Sequence, residues 1–221
     1  FIRPISKGVL YALKSMHGFI PNYGFVLIVF AFLIKLIVYP LTKKSYQSMS
    51  AMQAVAPEIN ELKEKYKSNP TKLNQATMEL YKKRGVNPLG GCLPMLLQMP
   101  LLFALFQVFR TTIELRAEPF IWWITDLSSP DTVLLLPFKI PIYGNHVAIL
   151  PVLMVVSMFI QQRMMSGAAQ QPQQKTMQYF MTAFFFLMFN GFPSGLNLYY
   201  TLFNVLTIAQ QKLIPQDNKA A

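Results

Sequence analysis

Residues 23–39 read YGFVLIVFAFLIKLIVY, an apolar run interrupted by one cation, Lys35, in its second half. A helix rises about 1.5 Å per residue, so this run and Pro40 cover most of a ~30 Å hydrocarbon layer. The pattern predicts a membrane span over 23–40. Lys35 then sits roughly 18 Å along the helix from Tyr23, too deep to be a flanking charge. A lysine at the centre of a span costs about 2.5–3.5 kcal/mol on insertion scales, so it is expected to face protein or water and to serve a function. The competing expectation is that its four-carbon stem snorkels to the nearer interface around Pro40.

Composition supports an integral membrane protein. Of 221 residues, 53% are hydrophobic and only 13% charged, where a soluble domain carries about a quarter charged residues. The net charge of +11 would suggest nucleic acid in a soluble protein; beside membrane spans it first sets topology and favours anionic lipid headgroups. No binding to a specific nucleic acid sequence is expected. One cysteine, Cys92, excludes an intrachain disulfide, and two histidines, His17 and His146, form no metal-ligand pattern. No cofactor is expected. The chain begins at Phe1 without a signal-peptide pattern, which reads as a processed or trimmed piece of a longer protein.

Taken in order, residues 1–22 carry Ile2, Ile5, Val9, Leu13, Met16 and Ile20 at helical spacing with Arg3, Lys7 and Lys14 between them, the pattern of an amphipathic interfacial helix. Residues 41–93 are polar and basic and predict a cytoplasmic antiparallel helical hairpin, with Met52, Val55, Ile59, Leu62 and Tyr66 along one seam. Its charged face is most simply a solvated surface. A second span is expected over 94–113, then an outer-face loop over 114–146 in which Glu114, Glu118, Asp126 and Asp131 outweigh Arg116 and Lys139 and Trp122-Trp123 mark the interface. Spans over 147–162, 177–191 and 196–214 follow, with a cytoplasmic loop over 163–176 and a cytoplasmic tail over 215–221. The third and fourth are short for a bilayer and are expected to thin it locally. The fold class is all-α: five transmembrane helices, the helical hairpin and the interfacial helix, with the amino end outside and the carboxyl end inside. Arg3, Lys7 and Lys14 fall on the wrong side for the charge rule, which an interface-bound helix tolerates.

Polar residues recur on the spans. Asn197, Thr201, Asn204 and Gln211 share one face of the last helix with Tyr200 beside them, Gln178 and Thr182 stand at i and i+4, and Gln98 lies near the start of the second span. Hydrocarbon cannot satisfy amides, so these faces look inward. With Lys35 they predict a polar cavity closed towards the outside and open towards the cytoplasm. The plainer expectation is interhelical hydrogen bonding, worth about 0.6 kcal/mol per contact. No span holds a carboxylate to pair with Lys35, which favours a cavity that supplies water, a ligand or an acidic group of another protein.

The motifs NPLGGCLP at 87–94, QMP at 98–100, FPSGL at 192–196, LYY at 198–200 and YPLT at 39–42 resemble the YidC-type membrane protein insertases, related to the mitochondrial and thylakoid oxidase-assembly factors. The resemblance implies a bacterial inner-membrane insertase and chaperone, not an enzyme, with a hydrophilic groove open to cytoplasm and lipid. In that family the groove carries one basic residue, usually arginine; Lys35 aligns with it and keeps the charge without the bidentate fork. The resemblance also implies that Tyr199 and Tyr200 contact clients and that Gln98 lines the groove. The client-binding set is therefore Lys35, Gln98, Gln178, Thr182, Asn197, Tyr199, Tyr200, Thr201 and Asn204. Nascent membrane proteins are the implied partners, with the ribosome and the Sec translocon engaged through the hairpin and tail. Gram-negative relatives carry a further amino-terminal span and a large periplasmic domain. From another class, a small anion or solute transporter using Lys35 is the alternative, although no internal repeat supports it.

Overall fold

The computed structural model describes residues 2–87, 93–112, 115–141, 143–165 and 172–213, without the side chains of residues 2, 93–97, 165 and 172–175. Most of the NPLGGCLP motif with Cys92, Glu114, part of the glutamine-rich segment and the tail after Leu213 lie outside these residues. The described chain is mostly helical: α1 (Ile2–His17), α2 (Tyr23–Ala54), α3 (Ala56–Lys65), α4 (Pro70–Lys83), α5 (Leu93–Thr111), α6 (Ile149–Met165), α7 (Pro172–Phe189) and α8 (Ser194–Leu213), with strands β1 (Thr132–Ile140) and β2 (Gly144–Ala148) between α5 and α6.

Local chemistry accounts for where these helices begin. The Asn22 side chain accepts from the Gly24 and Phe25 amides and so caps α2, while its own amide donates to the Pro119 carbonyl at 3.1 Å. Asn69 caps α4 through the Lys72 amide, and Pro57 and Pro70 occupy first-turn positions where a missing N–H costs nothing. α2 does not end at Pro40, where the span was expected to stop; it continues to Ala54 with Pro40 inside it. Pro40 removes one ladder bond, and the turn around it is braced by the Thr42 hydroxyl, which donates to the Val38 and Tyr39 carbonyls. Among the described helices α2 alone is long and apolar enough to cross a membrane; Ile149–Met164 and Thr176–Phe189 are shorter apolar helices.

The expectation of an all-α fold is corrected by an antiparallel two-stranded ribbon over the segment expected to be loop and the first two residues of the span expected at 147–162, pairing Thr132 with Ala148, Leu135 with His146 and Ile140 with Gly144. TVLLLPFKI is rich in β-branched and apolar residues, and Gly144 takes a φ of +100°, which suits the reversal into β2. Asn190 holds the ribbon down. Its amide donates to the Tyr143 and His146 carbonyls at 2.8 and 2.9 Å, and its oxygen accepts from the Ala148 amide at 3.3 Å.

The main core lies at the ribbon end of the bundle. Val26, Leu27, Phe30 and Ala31 of α2 meet Leu105 and Phe109 of α5, Leu150 and Met154 of α6 and Leu196 and Tyr199 of α8, and α1 adds Val9 and Leu13. Close approach of backbones makes this packing possible. A Cβ on Gly195 would overlap the Phe109 ring and stand 3.1 Å from the Leu127 carbonyl, and one on Gly24 would overlap Phe120. Residues 115–131 cover this end: Ser194 and Gly195 donate backbone hydrogens to the Ser129 and Leu127 carbonyls, and the Ser194 hydroxyl donates to the Asp126 carbonyl at 2.7 Å. Farther along α2 apolar burial gives way to Lys35, Thr42 and Ser45, all buried and polar. A second cluster, Val55, Ile59 and Val86 with Leu80 and Tyr81, joins α3 to the end of α4, beside an Arg84–Glu58 ion pair of 2.8 Å.

Candidate functional site

The continuity of α2 through Pro40 builds the site. Lys35, Thr42 and Tyr46 are separated by seven and four residues, so an unbroken helix aligns them on one face. Phe203 and Thr207 of α8 oppose them, and Gln98 and Leu101 of α5 with Gln161 of α6 complete the lining of a cavity of about 40 Å³ that also touches Ile34 and Val38. That volume holds two or three waters. Among the described residues no carboxylate lines it.

Lys35 points into this cavity and is only 7% exposed. Its ammonium donates to Gln210 Oε1 at 3.2 Å and lies 4.2 Å from the centre of the Phe203 ring. Gln210 donates in turn to Thr42 Oγ1 at 3.0 Å. An amide oxygen and a ring face each take a share of a positive charge, but neither neutralises it. The arrangement holds a buried positive charge with no carboxylate beside it among the described residues, an attractor for an acidic group.

The other expected site residues fall into separate groups. Gln98 lines the cavity, and its side-chain amide lies close to the Tyr199 and Tyr200 hydroxyls, with which it interacts. Tyr199 is fully buried, between Phe30 and Phe203. Gln178 and Thr182 both donate to Gln162 Oε1, at 3.0 and 3.1 Å, tying α7 to α6 away from Lys35. Asn204 donates to the Ser157 hydroxyl at 3.2 Å. Asn197 is fully buried and clamps the turn after α7, donating to the Phe189 and Phe192 carbonyls, and Thr201 donates back to the Asn197 carbonyl. These six hydrogen bonds join helices, clamp a turn or, for Thr201, stay within α8. Residues 35 and 98 meet in one cavity; 178, 182, 197, 201 and 204 do not line it.

Sequence reasoning missed Gln210, Thr42, Tyr46, Gln161 and Thr207. Gln210 was legible: it stands seven residues after Phe203 and three after Thr207, on their face of α8. Thr42 and Tyr46 were hidden because Pro40 was read as the end of the helix. Gln211, placed with Asn204, instead donates to the Met164 carbonyl at the end of α6, where Gln53 of α2 donates too.

Fold and cavity together define a class: a helical membrane-type bundle, packed tight at one end, with a buried cation towards the other in a small cavity where Thr42, Gln98, Gln161 and Thr207 stand among apolar side chains. The chain belongs to the 60Kd inner membrane protein family, whose pattern matches residues 15–221. It is 50% identical over 220 residues to the membrane protein insertase YidC of Chlorobium luteolum and 48% identical over 224 residues to that of Chlorobaculum tepidum, in each case over 99% of this chain. It spans 37% and 38% of the length of those two relatives. Among solved structures it resembles an active YidC insertase crystal structure with the first transmembrane domain resolved, at a TM-score of 0.70 and 27% identity, over 95% of this chain and 46% of that one.

Proposed function

We propose that this protein is a membrane protein insertase and chaperone of the bacterial inner membrane, and that the cavity at Lys35 receives the polar end of a client segment. The first part of α2 with α5, α6, α7 and α8 forms five spans, the ribbon end faces outwards, and α1 lies in the outer interface. The basic α3–α4 pair and the carboxyl-terminal tail lie in the cytoplasm, where the ribosome, the Sec translocon and anionic lipid headgroups are the partners.

One observation carries this reading: among the described residues a buried ammonium faces an amide, a ring and room for water, in a cavity that no carboxylate lines. A carboxylate arriving at ~4 Å gains roughly 4 kcal/mol of attraction at a surface-like dielectric, before desolvation of both groups is subtracted. The cavity holds waters rather than a peptide, so the halves of α2 and α8 nearest the cytoplasm part to admit a client tail. The client's apolar segment then passes along the exposed Val156 and Ile160 of α6 and Phe180 of α7 into lipid, driven by burial of its own surface at about 25 cal/mol per Å². The names of the relatives support this reading and lend nothing to the transporter alternative.

The test is insertion by the full-length protein in proteoliposomes of a small client with an acidic outer tail. Lys35→Arg is expected to retain insertion and Lys35→Glu to lose it, while photocrosslinkers at positions 35 and 200 capture a stalled chain. Equal insertion by all variants would remove Lys35 from the mechanism.

A further inference from the structure

The β1–β2 ribbon carries more uncovered apolar surface than a water-facing element of its size needs. Val133, Leu134 and Leu135 are 51%, 58% and 69% exposed, and Phe138 is 60% exposed. Successive strand residues point to opposite faces, so both faces of the ribbon are apolar and open. An antiparallel sheet at a water boundary ordinarily packs one face and presents a polar other face.

The height of the ribbon is set by its contacts. Asn190, in the turn after α7, grips Tyr143, His146 and Ala148. The Tyr143 ring lies 5.5 Å from that of Phe186, about one turn back inside α7. At the other end Asp131 accepts from the Ile149 and Leu150 amides, capping α6, and from the Trp123 indole at 3.1 Å. The ribbon therefore lies across the ends of two apolar helices instead of standing away from them. Trp122, 84% exposed and stacked on Trp123 at 5.7 Å, is part of the same rim.

We infer that the ribbon is a lipid-docking element, lying in the headgroup layer of the outer leaflet with Leu134, Leu135 and Phe138 reaching the upper acyl chains. The inference rests on the membrane placement proposed above. Lipid is the occupant because it wets both faces of a narrow ribbon, whereas a docked protein covers one face or one edge. The depth follows from the backbone: an open sheet edge with unpaired N–H and C=O groups is excluded from hydrocarbon but tolerated among headgroups, where indoles also concentrate. Lys139, exposed near the tip, suits anionic headgroups there.

Nitroxide labels on the full-length protein test this, with Cys92→Ser in a background free of other cysteines and vesicles of phosphatidylethanolamine and phosphatidylglycerol. Labels at Leu135→Cys and Phe138→Cys are compared with a span control, Val29→Cys, and an aqueous control, Lys67→Cys. Lipid docking gives residues 135 and 138 an oxygen-to-nickel-chelate collision ratio several-fold above residue 67 and below residue 29. A ratio equal to that of residue 67, while residue 29 remains deep, overturns the inference and leaves the membrane placement standing. Low collision with both reagents means a protein partner covers the ribbon, and likewise overturns it. If residue 29 also reads as aqueous, the membrane placement itself fails and the inference falls with it.

Discussion

Lys35 and Gln210, 175 positions apart, are joined by a 3.2 Å hydrogen bond from Nζ to Oε1, and Gln210 closes the clasp by donating to Thr42, about two turns farther along α2. The bond links α2 and α8, two of the four helices that wall the cavity, so the group that holds the cation in place also resists parting of those walls. Hydrogen bonds to charged groups contribute about 1.5–3 kcal/mol, well above the ~0.6 kcal/mol of an average contact between membrane helices.

Removing that acceptor is expected to be felt through the lysine. In a double-mutant cycle with Lys35→Met and Gln210→Leu, followed by unfolding in detergent, a coupling of about 1–2 kcal/mol is expected. Additive single-mutant effects would mean that the clasp contributes nothing in solution.

Gly195→Ala forces a methyl group into the Phe109 ring, which is only 1% exposed and has nowhere to move. Overpacking of this kind costs about 1–3 kcal/mol, and for a chain of this size each kcal/mol lowers Tm by about 2–4 °C. Thermal unfolding of the purified protein measures the loss, and Phe109→Leu in the same molecule is expected to recover part of it. An unchanged Tm would contradict the close approach of α8 to α5.

Asn190→Ala strips three hydrogen bonds from the ribbon and leaves the Tyr143 and His146 carbonyls and the Ala148 amide without these partners. Each unsatisfied group costs about 1–3 kcal/mol where it stays buried, so the ribbon is expected to lift from α7. Hydrogen exchange followed by mass spectrometry then reports faster exchange over residues 143–148 with residues 26–31 unaltered; protection equal to wild type in the ribbon counts against the clamp.

Asp126 gives the ribbon end a dependence on pH. Burial pushes its carboxyl up, but the Ser128 amide and hydroxyl at 2.7 and 2.8 Å, Ser129, and the Ala117 amide at 3.1 Å together hold it below its ordinary value of 3.8. A carboxylate with a lowered folded-state pKa stabilises fully above its unfolded value and loses that contribution as pH falls through the folded one. Protection over residues 117–128, taken relative to the intrinsic exchange rate at each pH, is expected to fall below about pH 4, modestly, because solvent screens this group. Asp126→Asn should flatten that dependence; an identical acid response in the variant would assign it to other groups.

Periodicity made much of this legible. The capping Asn22, the proline-led starts of α3 and α4, the Val9–Leu13 stripe of α1 and the turn between α7 and α8 all rest on neighbours within a few residues, and local sequence carries such signals well. Two local signals misled. Pro40 reads as a stop, yet α2 passes through it because Thr42 braces the turn and the face beyond packs on α8. The segment 132–146 reads as a loop among spans, since a short apolar run does not reveal its period without the partner it pairs with.

The amino-acid sequence alone determined that this chain contains a helix able to cross a membrane, that a lysine lies deep within it, and that several helices carry polar faces which hydrocarbon cannot satisfy. Only the tertiary structure decided which of those faces meet: Lys35 with Gln210, Gln178 and Thr182 with Gln162, Asn204 with Ser157, and Asn197 with the turn beside its own helix. The reason is geometric. A 3.6-residue repeat specifies which residues share a side of one helix, but the rotation and depth at which helices pack depend on close contacts such as that of Gly195 with Phe109, far apart along the chain.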